Sequence, residues 1–253
     1  MSKLTGITPL LDYQQLSAQA THHAQQYQNA LPFPHIVFDQ FINDALAERL
    51  LNVFPVLKER PGQTPEAAKT DDGQSPQPNK LWLSNQLGVN ALFRQLYWEL
   101  NSAPFLAFLE QVTGIQHLIP DPHLVGGGVH QTKRDGLSMI HADFNKHPQY
   151  KLDRRLNLLI YLNKEWEEYW GGDLELWATD MSHCEKKVSP LLGRCVIFST
   201  TRDSFHGHPH PLTCPEEQSR KSIAMYYYTR GRPTHEDASP HKTLWQNIHL
   251  TKD

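Results

Sequence analysis

The chain has 253 residues, with 24 Lys and Arg against 27 Asp and Glu, so its formal net charge is −3. This balance excludes a protein that neutralises a nucleic-acid backbone over its whole surface. A hydrophobic fraction of 39% excludes a disordered chain. The N-terminal residues lack the apolar core of a signal peptide, and no apolar run reaches the about 18 residues that span a membrane. Three cysteines without a CxxC pair fit a reducing compartment, so we expect a cytoplasmic protein.

Helices, with one strand and one long loop, are predicted for the first half of the chain. Asn43 and Ser102 have the character of helix N-caps, and Gly114 that of a helix stop. A stretch rich in Pro, Gly and Asp, with almost nothing apolar, indicates a loop. The predicted helices are 8–30, 44–54, 88–101 and 102–112, the predicted strand is 35–38, and the predicted loop is 60–79.

Short apolar runs, broken by Gly, Pro, Asp and Asn, dominate the second half. Many short strands at this spacing favour an antiparallel sandwich or barrel. The predicted strands are 123–132, 137–142, 155–162, 173–178, 193–199 and 221–228.

Histidine is unusually frequent, with 15 residues, and it is the commonest metal ligand. The pattern His-x-acid occurs three times, which chance alone can explain in a chain this rich in His and acids. His183 and Glu185 lie in a polar stretch and are predicted to be solvated. His141 instead ends an apolar run, so its side chain and that of Asp143 project from one face at a strand end. Two such groups can share one metal ion.

A third ligand can come from the segment 205–210, which contains three histidines and follows the predicted strand 193–199. Two imidazoles and one carboxylate, with three open positions, suit non-haem Fe(II) and oxygen chemistry. The same set with an open water position also suits a zinc hydrolase. Arg220 opens the last predicted strand, where its guanidinium could hold a carboxylate bidentately in the same pocket. As an isolated residue it could equally be a surface charge.

Several motifs follow one another in a characteristic order. They are His141-x-Asp143, Tyr161-Leu162-Asn163, Gly171-Gly172-Asp173-Leu174, Phe205-His206 and Arg220-x-Ser222-Ile223. Together they resemble the Fe(II)/2-oxoglutarate-dependent dioxygenases, specifically the prolyl-hydroxylase-like branch. The resemblance covers residues 123–230 and implies a double-stranded β-helix, or jelly roll. The expected fold class is therefore α+β, with N-terminal helices packed on a jelly-roll core.

The resemblance also implies roles for single residues. His141, Asp143 and His206 match the iron ligands, with His206 preferred over His208 because it follows an aromatic residue. Arg220 matches the residue that binds the distal carboxylate of 2-oxoglutarate. Two further matches are Tyr161, a partner of that carboxylate in some relatives, and Asn157, a small polar residue facing the co-substrate. The chain departs from many relatives because no tyrosine occurs from His123 to Ile140.

The implied reaction is hydroxylation of an unactivated C–H by O₂ and 2-oxoglutarate, with succinate and CO₂ as co-products and ascorbate as a reductant. The expected substrate is prolyl or amino-acid-like, either a peptide or a small molecule, and neither a membrane nor a nucleic acid is an expected partner. Arg154-Arg155 could bind an anionic substrate. A zinc-dependent hydrolase and a non-catalytic metal-binding sensor remain as alternatives.

Three regions are expected. Residues 1–117 form a helical and strand support region of the same domain. Residues 118–232 form the catalytic core, and residues 233–253 form a C-terminal tail.

Overall fold

The computed structural model describes residues 8–58, 75–234, 236 and 239–246. Its α-helices begin and end close to the predicted positions. The side-chain oxygen of Asn43 caps the second helix by accepting a hydrogen bond from the Leu46 amide. Gly114 ends the fourth helix in the left-handed conformation, with φ 76°. The helices are α1 Tyr13–Gln28, α2 Asp44–Asn52, α3 Ala91–Leu100 and α4 Ala103–Thr113, with short 3-10 turns at Gln86–Gly88 and Glu168–Trp170. The predicted loop 60–79 lies outside the described residues except for 75–79.

The strands form two antiparallel sheets within the described ranges. They are β1 His35–Phe38, β2 Lys80–Leu83, β3 Ile119–Pro120, β4 Gly128–Thr132, β5 Ser138–Ala142, β6 Asp153–Tyr161, β7 Leu174–Trp177, β8 Cys184–Val188, β9 Cys195–Ser199, β10 His206–His208, β11 Arg220–Thr229 and β12 Leu244–Trp245. The large sheet has the order β1-β9-β6-β11-β4-β2, with β3 also on β11. The small sheet has the order β12-β5-β10-β7-β8.

This arrangement confirms the predicted α+β jelly roll. All six predicted strands of the second half are present, and so is the predicted strand 35–38. Strands β2, β3, β8, β10 and β12 were not predicted, because they are short or too polar to show an apolar alternation. Strand β12 falls within the stretch 233–253 and pairs with β5.

The large sheet separates the apolar core from the functional cavity. Alternate residues of β6 and β11 point to opposite faces. One set packs with the helices in the main core: Leu156, Leu158, Ile160, Ile223, Met225 and Tyr227. The other set lines a cavity between the two sheets: Asn157, Leu159, Arg220, Ser222, Ala224 and Tyr226. The core therefore holds the helices on one face and leaves the other face free for chemistry.

No helix in the described ranges is both long and apolar enough to cross a lipid bilayer.

Candidate active site

Three metal-ligating side chains meet where the small sheet faces the cavity. His141 of β5 and His206 of β10 are direct cross-strand partners, with ring centroids 4.5 Å apart. Asp143 follows one residue after the end of β5. Its Oδ1 lies 3.6 Å from His141 Nε2, and its Oδ2 lies 3.4 Å from His206 Nε2. All three residues offer ligand atoms within 4.8 Å of one another, so His206, and not His208, joins the His141–Asp143 pair.

The hydrogen bonds of both imidazoles orient them for metal binding. His141 Nδ1 is 2.7 Å from the Met139 carbonyl oxygen, and His206 Nδ1 is 2.9 Å from the Ser204 carbonyl oxygen. Because a carbonyl can only accept, each Nδ1 carries the proton and each Nε2 presents a lone pair towards Asp143. Burial, and then proximity to His206, lower the pKa of His141, which favours the neutral imidazole that a metal requires. The donor set therefore fits a divalent cation such as Fe(II).

The carboxylate of Asp143 is fixed from behind by two side chains of β6. Arg154 Nη2 donates to Asp143 Oδ2 at 2.9 Å, and Asn157 Nδ2 donates to the same oxygen at 2.6 Å. Arg154 Nε also donates to Asn157 Oδ1 at 3.0 Å. Asn157, predicted to face the co-substrate, thus contacts a proposed metal ligand directly. Arg154, which the sequence allowed either as a solvated charge or as a site for an anionic substrate, is instead fully buried against Asp143.

Charge and aromatic stacking explain how Arg154 is tolerated in the interior. Its guanidinium carbon lies 3.5 Å from the ring centroid of Tyr226 and 4.5 Å from that of Phe144, distances at which the ring faces attract a cation. Burial acts to raise the pKa of Asp143, but Arg154 and the two histidines hold that pKa well below its ordinary value. The carboxylate therefore stays ionised as a metal ligand must.

Arg220 lies at the start of β11, on the cavity face of the large sheet. Its Nε donates to the Gly172 carbonyl oxygen at 2.6 Å, and its Nη2 donates to the Tyr161 hydroxyl at 3.3 Å. Gly172 has a φ of +81°, and a Cβ there would lie 2.7 Å from Leu212 Cδ2 and 3.1 Å from Arg220 Cδ. A glycine is therefore favoured both by the backbone and by the leucine and arginine side chains packed against it.

Tyr161 contributes to this arrangement from behind Arg220. It is fully buried, and its ring centroid lies 4.9 Å from the guanidinium carbon. Burial raises its pKa, so the phenol remains protonated. Tyr161 is not among the residues that line the cavity. In the described structure it orients Arg220, whereas the resemblance implies contact with the co-substrate.

A cavity of about 430 Å³ joins these groups, a volume within the range of small-molecule sites. Ring side chains line its metal end, including Phe144, Tyr226 and Trp245, whose ring centroid is 4.5 Å from that of His141. Several lining residues were not singled out from the sequence: Lys80, Trp82, His130, Phe144, Tyr226 and Trp245. Lys80, Trp82 and His130 belong to β2 and β4, whose alternation is visible only once the strands are placed. Tyr226 belongs to β11 and Trp245 to β12, and Phe144 follows Asp143.

The other histidines considered from the sequence, His183, His208 and His210, differ in their exposure. His208 is buried and lines the cavity next to the metal-ligand cluster. The side chains of His183 and His210 are 60% and 57% exposed. His183 is thus on the surface, as predicted.

Comparisons with known proteins agree with this geometry. Residues 127–228 match the family described as the 2OG-Fe(II) oxygenase superfamily. The Mus musculus protein prolyl 3-hydroxylase OGFOD1 is 34% identical over 80 residues, which are 30% of this chain and 14% of that protein. The match thus spans a small part of that relative.

Solved structures share the fold. One is a Trichoplax adhaerens prolyl hydroxylase in complex with a peptide fragment of the hypoxia inducible factor oxygen degradation domain. Its TM-score is 0.57 at 16% sequence identity, and the match covers 86% of this chain and 93% of that chain. Another is HygX from Streptomyces hygroscopicus with nickel, 2-oxoglutarate and hygromycin B bound. Its TM-score is 0.51 at 14% sequence identity, and the match covers 88% of this chain and 90% of that chain.

Proposed function

We propose that this chain is a member of the 2OG-Fe(II) oxygenase superfamily and that it hydroxylates a prolyl residue of a peptide or protein. In the proposed reaction one atom of O₂ enters a substrate C–H bond as hydroxyl, and the other enters succinate as 2-oxoglutarate loses CO₂. The observation that carries the proposal is the cluster of His141, Asp143 and His206 at one end of an open cavity that also contains Arg220.

We assign His141, Asp143 and His206 as the ligands of Fe(II). The bound metal supplies the activation of O₂ that is coupled to oxidative decarboxylation of 2-oxoglutarate. The protein's own residues supply position and charge. Arg154 and Asn157 hold the Asp143 carboxylate, and the backbone carbonyl groups of Met139 and Ser204 hold the two imidazoles.

We assign Arg220 to the distal carboxylate of 2-oxoglutarate. A guanidinium binds a carboxylate through two parallel hydrogen bonds. Two of its donors are already used by Gly172 and Tyr161, and these contacts fix the direction of the remaining ones. Asn157 affects co-substrate binding indirectly, by holding the Asp143 carboxylate. Tyr161 affects it indirectly as well, by orienting the Arg220 guanidinium.

The walls of the cavity support a substrate with an apolar ring. Phe144, Tyr226 and Trp245 line the part of the cavity next to the proposed metal ligands. Aromatic surfaces of this kind bind prolyl residues in other recognition systems. The names of the mouse relative and of the Trichoplax neighbour point to the same substrate class. The bound ligand of HygX makes a small molecule the second substrate class to test.

We propose residues 118–232 as the catalytic core, supported by 1–117 and followed by 233–253. Both flanking segments contribute to the cavity wall, through Lys80 and Trp82 on one side and Trp245 on the other. The two alternatives fit less well. A zinc hydrolase gives no role to Arg220, and a non-catalytic sensor predicts a blocked pocket where the structure has an open one.

Turnover tests the proposal directly. The protein is incubated with Fe(II), 2-oxoglutarate, ascorbate and O₂ together with a panel of prolyl peptides, and succinate and the mass of each peptide are measured. We expect succinate and a peptide gaining one oxygen atom in equal amounts. His206→Ala should abolish both products, whereas the exposed His210→Ala should retain them. Peptide cleavage that needs zinc and no 2-oxoglutarate would instead establish the hydrolase.

A further inference from the structure

A second long cationic side chain shares the cavity face with Arg220. Lys80 of β2 pairs with Thr132 of β4, and Thr132 also pairs with Arg220 of β11. Residues directly opposite one another on neighbouring strands point to the same side of a sheet. Lys80, Thr132 and Arg220 therefore form one row, and all three line the cavity.

The next row confirms which face this is. Two residues further along each strand stand Trp82, His130 and Ser222, which are also cross-strand partners and also line the cavity. The row that contains Lys80 is thus part of the cavity wall. It lies at the start of β11, at the opposite end of that wall from Tyr226, which is paired with Asn157 next to Asp143.

Lys80 has no carboxylate partner among the described residues. No ion pair or hydrogen bond of its ammonium group occurs there, and Asp143 is the one acidic side chain lining the cavity in those ranges. Asp143 is already paired with Arg154. Asp143 attracts Lys80 only electrostatically, without an ion pair. A lysine and an arginine thus face one cavity without a carboxylate in contact with either, which is costly unless an anionic ligand enters.

The neighbouring His130 adds no positive charge of its own. Burial, together with the positive charge of Lys80, lowers the pKa of His130 to about 3. The His130 imidazole is therefore neutral, and it can donate one hydrogen bond and accept one. The excess positive charge at this end of the cavity rests on Lys80 and Arg220.

We propose that the ammonium group of Lys80 binds the distal carboxylate of 2-oxoglutarate together with Arg220. This inference rests on the proposed function, which places that carboxylate at Arg220. The distal carboxylate is the group concerned because the cationic row lies away from the metal-ligand cluster. A fourth basic residue of the cavity wall, Lys242, is exposed and lies near β12, on the metal side.

The decisive test compares two 2-oxo acids of equal chain length that differ only at the distal end. 2-Oxoglutarate carries the distal carboxylate, and 2-oxopentanoate carries a methyl group there. Each is titrated anaerobically into the Fe(II)-loaded protein, and the dissociation constant is read from the visible charge-transfer band of the chelate. Wild type, Lys80→Met and Lys80→Arg are compared, with the exposed Lys133→Met as the matched control. Thermal unfolding of each variant checks that it is folded.

We expect Lys80→Met to weaken 2-oxoglutarate binding about tenfold or more, the effect of losing one charge-assisted hydrogen bond. The affinity for 2-oxopentanoate should be unchanged in that variant. Lys80→Arg should retain most of the affinity for 2-oxoglutarate, and Lys133→Met should retain all of it.

Two results would overturn the inference while leaving the proposed function intact. One is a Lys80→Met protein that binds 2-oxoglutarate as tightly as wild type. The other is an equal loss of affinity for both acids, which would mean that the lysine supports the cavity rather than the carboxylate. A wild-type protein that gives no band with either acid would overturn the proposed function and the inference together.

Discussion

Replacing Arg154 with methionine should destabilise the metal-free protein strongly and the metal-loaded protein much less. Arg154 is fully buried, and its partner Asp143 has a side chain only 12% exposed. Removing one member of a buried ion pair costs about 3–5 kcal/mol, because the other charge stays behind unpaired. A bound divalent cation gives Asp143 a new positive partner. The loss then falls to that of the hydrogen bond itself, about 1.5–3 kcal/mol.

Urea denaturation with and without saturating Mn(II) measures this difference. Arg155→Met is the matched control, because Arg155 lies next in sequence but pairs with Glu236 at 3.2 Å rather than with a metal ligand. The free energy of unfolding that Arg155→Met loses should be the same with and without metal. The double variant Asp143→Asn/Arg154→Met should be more stable than Arg154→Met in the metal-free state, since it no longer buries an unpaired carboxylate.

An Arg154→Met protein that loses the same free energy of unfolding with and without metal would contradict this role for Arg154. A double variant less stable than the Arg154→Met single variant would contradict it as well. Either result would mean that Arg154 acts by packing against Phe144 and Tyr226 rather than by balancing the charge of Asp143.

Three further predictions concern the co-substrate. Arg220→Met should weaken 2-oxoglutarate binding sharply and leave metal affinity unchanged. An unchanged affinity for 2-oxoglutarate in an anaerobic titration would contradict the assignment of Arg220 to the distal carboxylate. Gly172→Ala should weaken 2-oxoglutarate binding about tenfold, because the new methyl group crowds Leu212 and displaces Arg220. Gly171→Ala should leave that binding unchanged. Both glycines have positive φ and so share the backbone strain, but a Cβ at Gly171 meets nothing within 4 Å. The affinity for 2-oxoglutarate should also fall as pH rises through about 8. Burial, and then the positive charge of Arg220, lower the pKa of Lys80 to about 8. Above that pH the amine is uncharged and no longer attracts a carboxylate. Lys80→Arg should remove this dependence, and a pH-independent wild type would contradict it. The charged or titratable groups facing Lys80 are Arg220, His130, His208 and Asp143.

The proposed metal ligands could be predicted, and so could β5, the strand that leads to His141 and Asp143, because they depend on local pattern. His141 ends an apolar run, and Asp143 stands two residues further on the same side. The strands of the large sheet are apolar on the helix-facing side, which gives a clear signal along the chain. The polar strand β10, with only three residues, had no such signal.

The role of Arg154 could not be predicted because β6 contains an irregularity. Tyr227 pairs with Leu156, but Tyr228 pairs with Arg154, so one extra residue is accommodated in β6. A regular alternation would place Arg155, and not Arg154, on the same face as Asn157. The bulge moves Arg154 to the cavity side and turns an apparent surface charge into the partner of Asp143.

The residues taken from the flanking segments escaped prediction for a different reason. Lys80 follows directly after the predicted loop 60–79, and Trp245 lies in the predicted tail. Neither segment has a periodic pattern of its own. Their positions are determined by pairing with β4 and β5, and such long-range pairing is not encoded in local spacing.

The central claim is that His141, Asp143 and His206 hold Fe(II) in a site that chelates 2-oxoglutarate. Anaerobic titration of the Fe(II)-loaded wild-type protein with 2-oxoglutarate tests it most directly. We predict a visible charge-transfer band that saturates at one equivalent bound, disappears in His141→Ala, and persists in His183→Ala, whose histidine belongs to an exposed His-x-acid motif. Absence of the band in wild type, with zinc retained tightly in its place, would contradict the account.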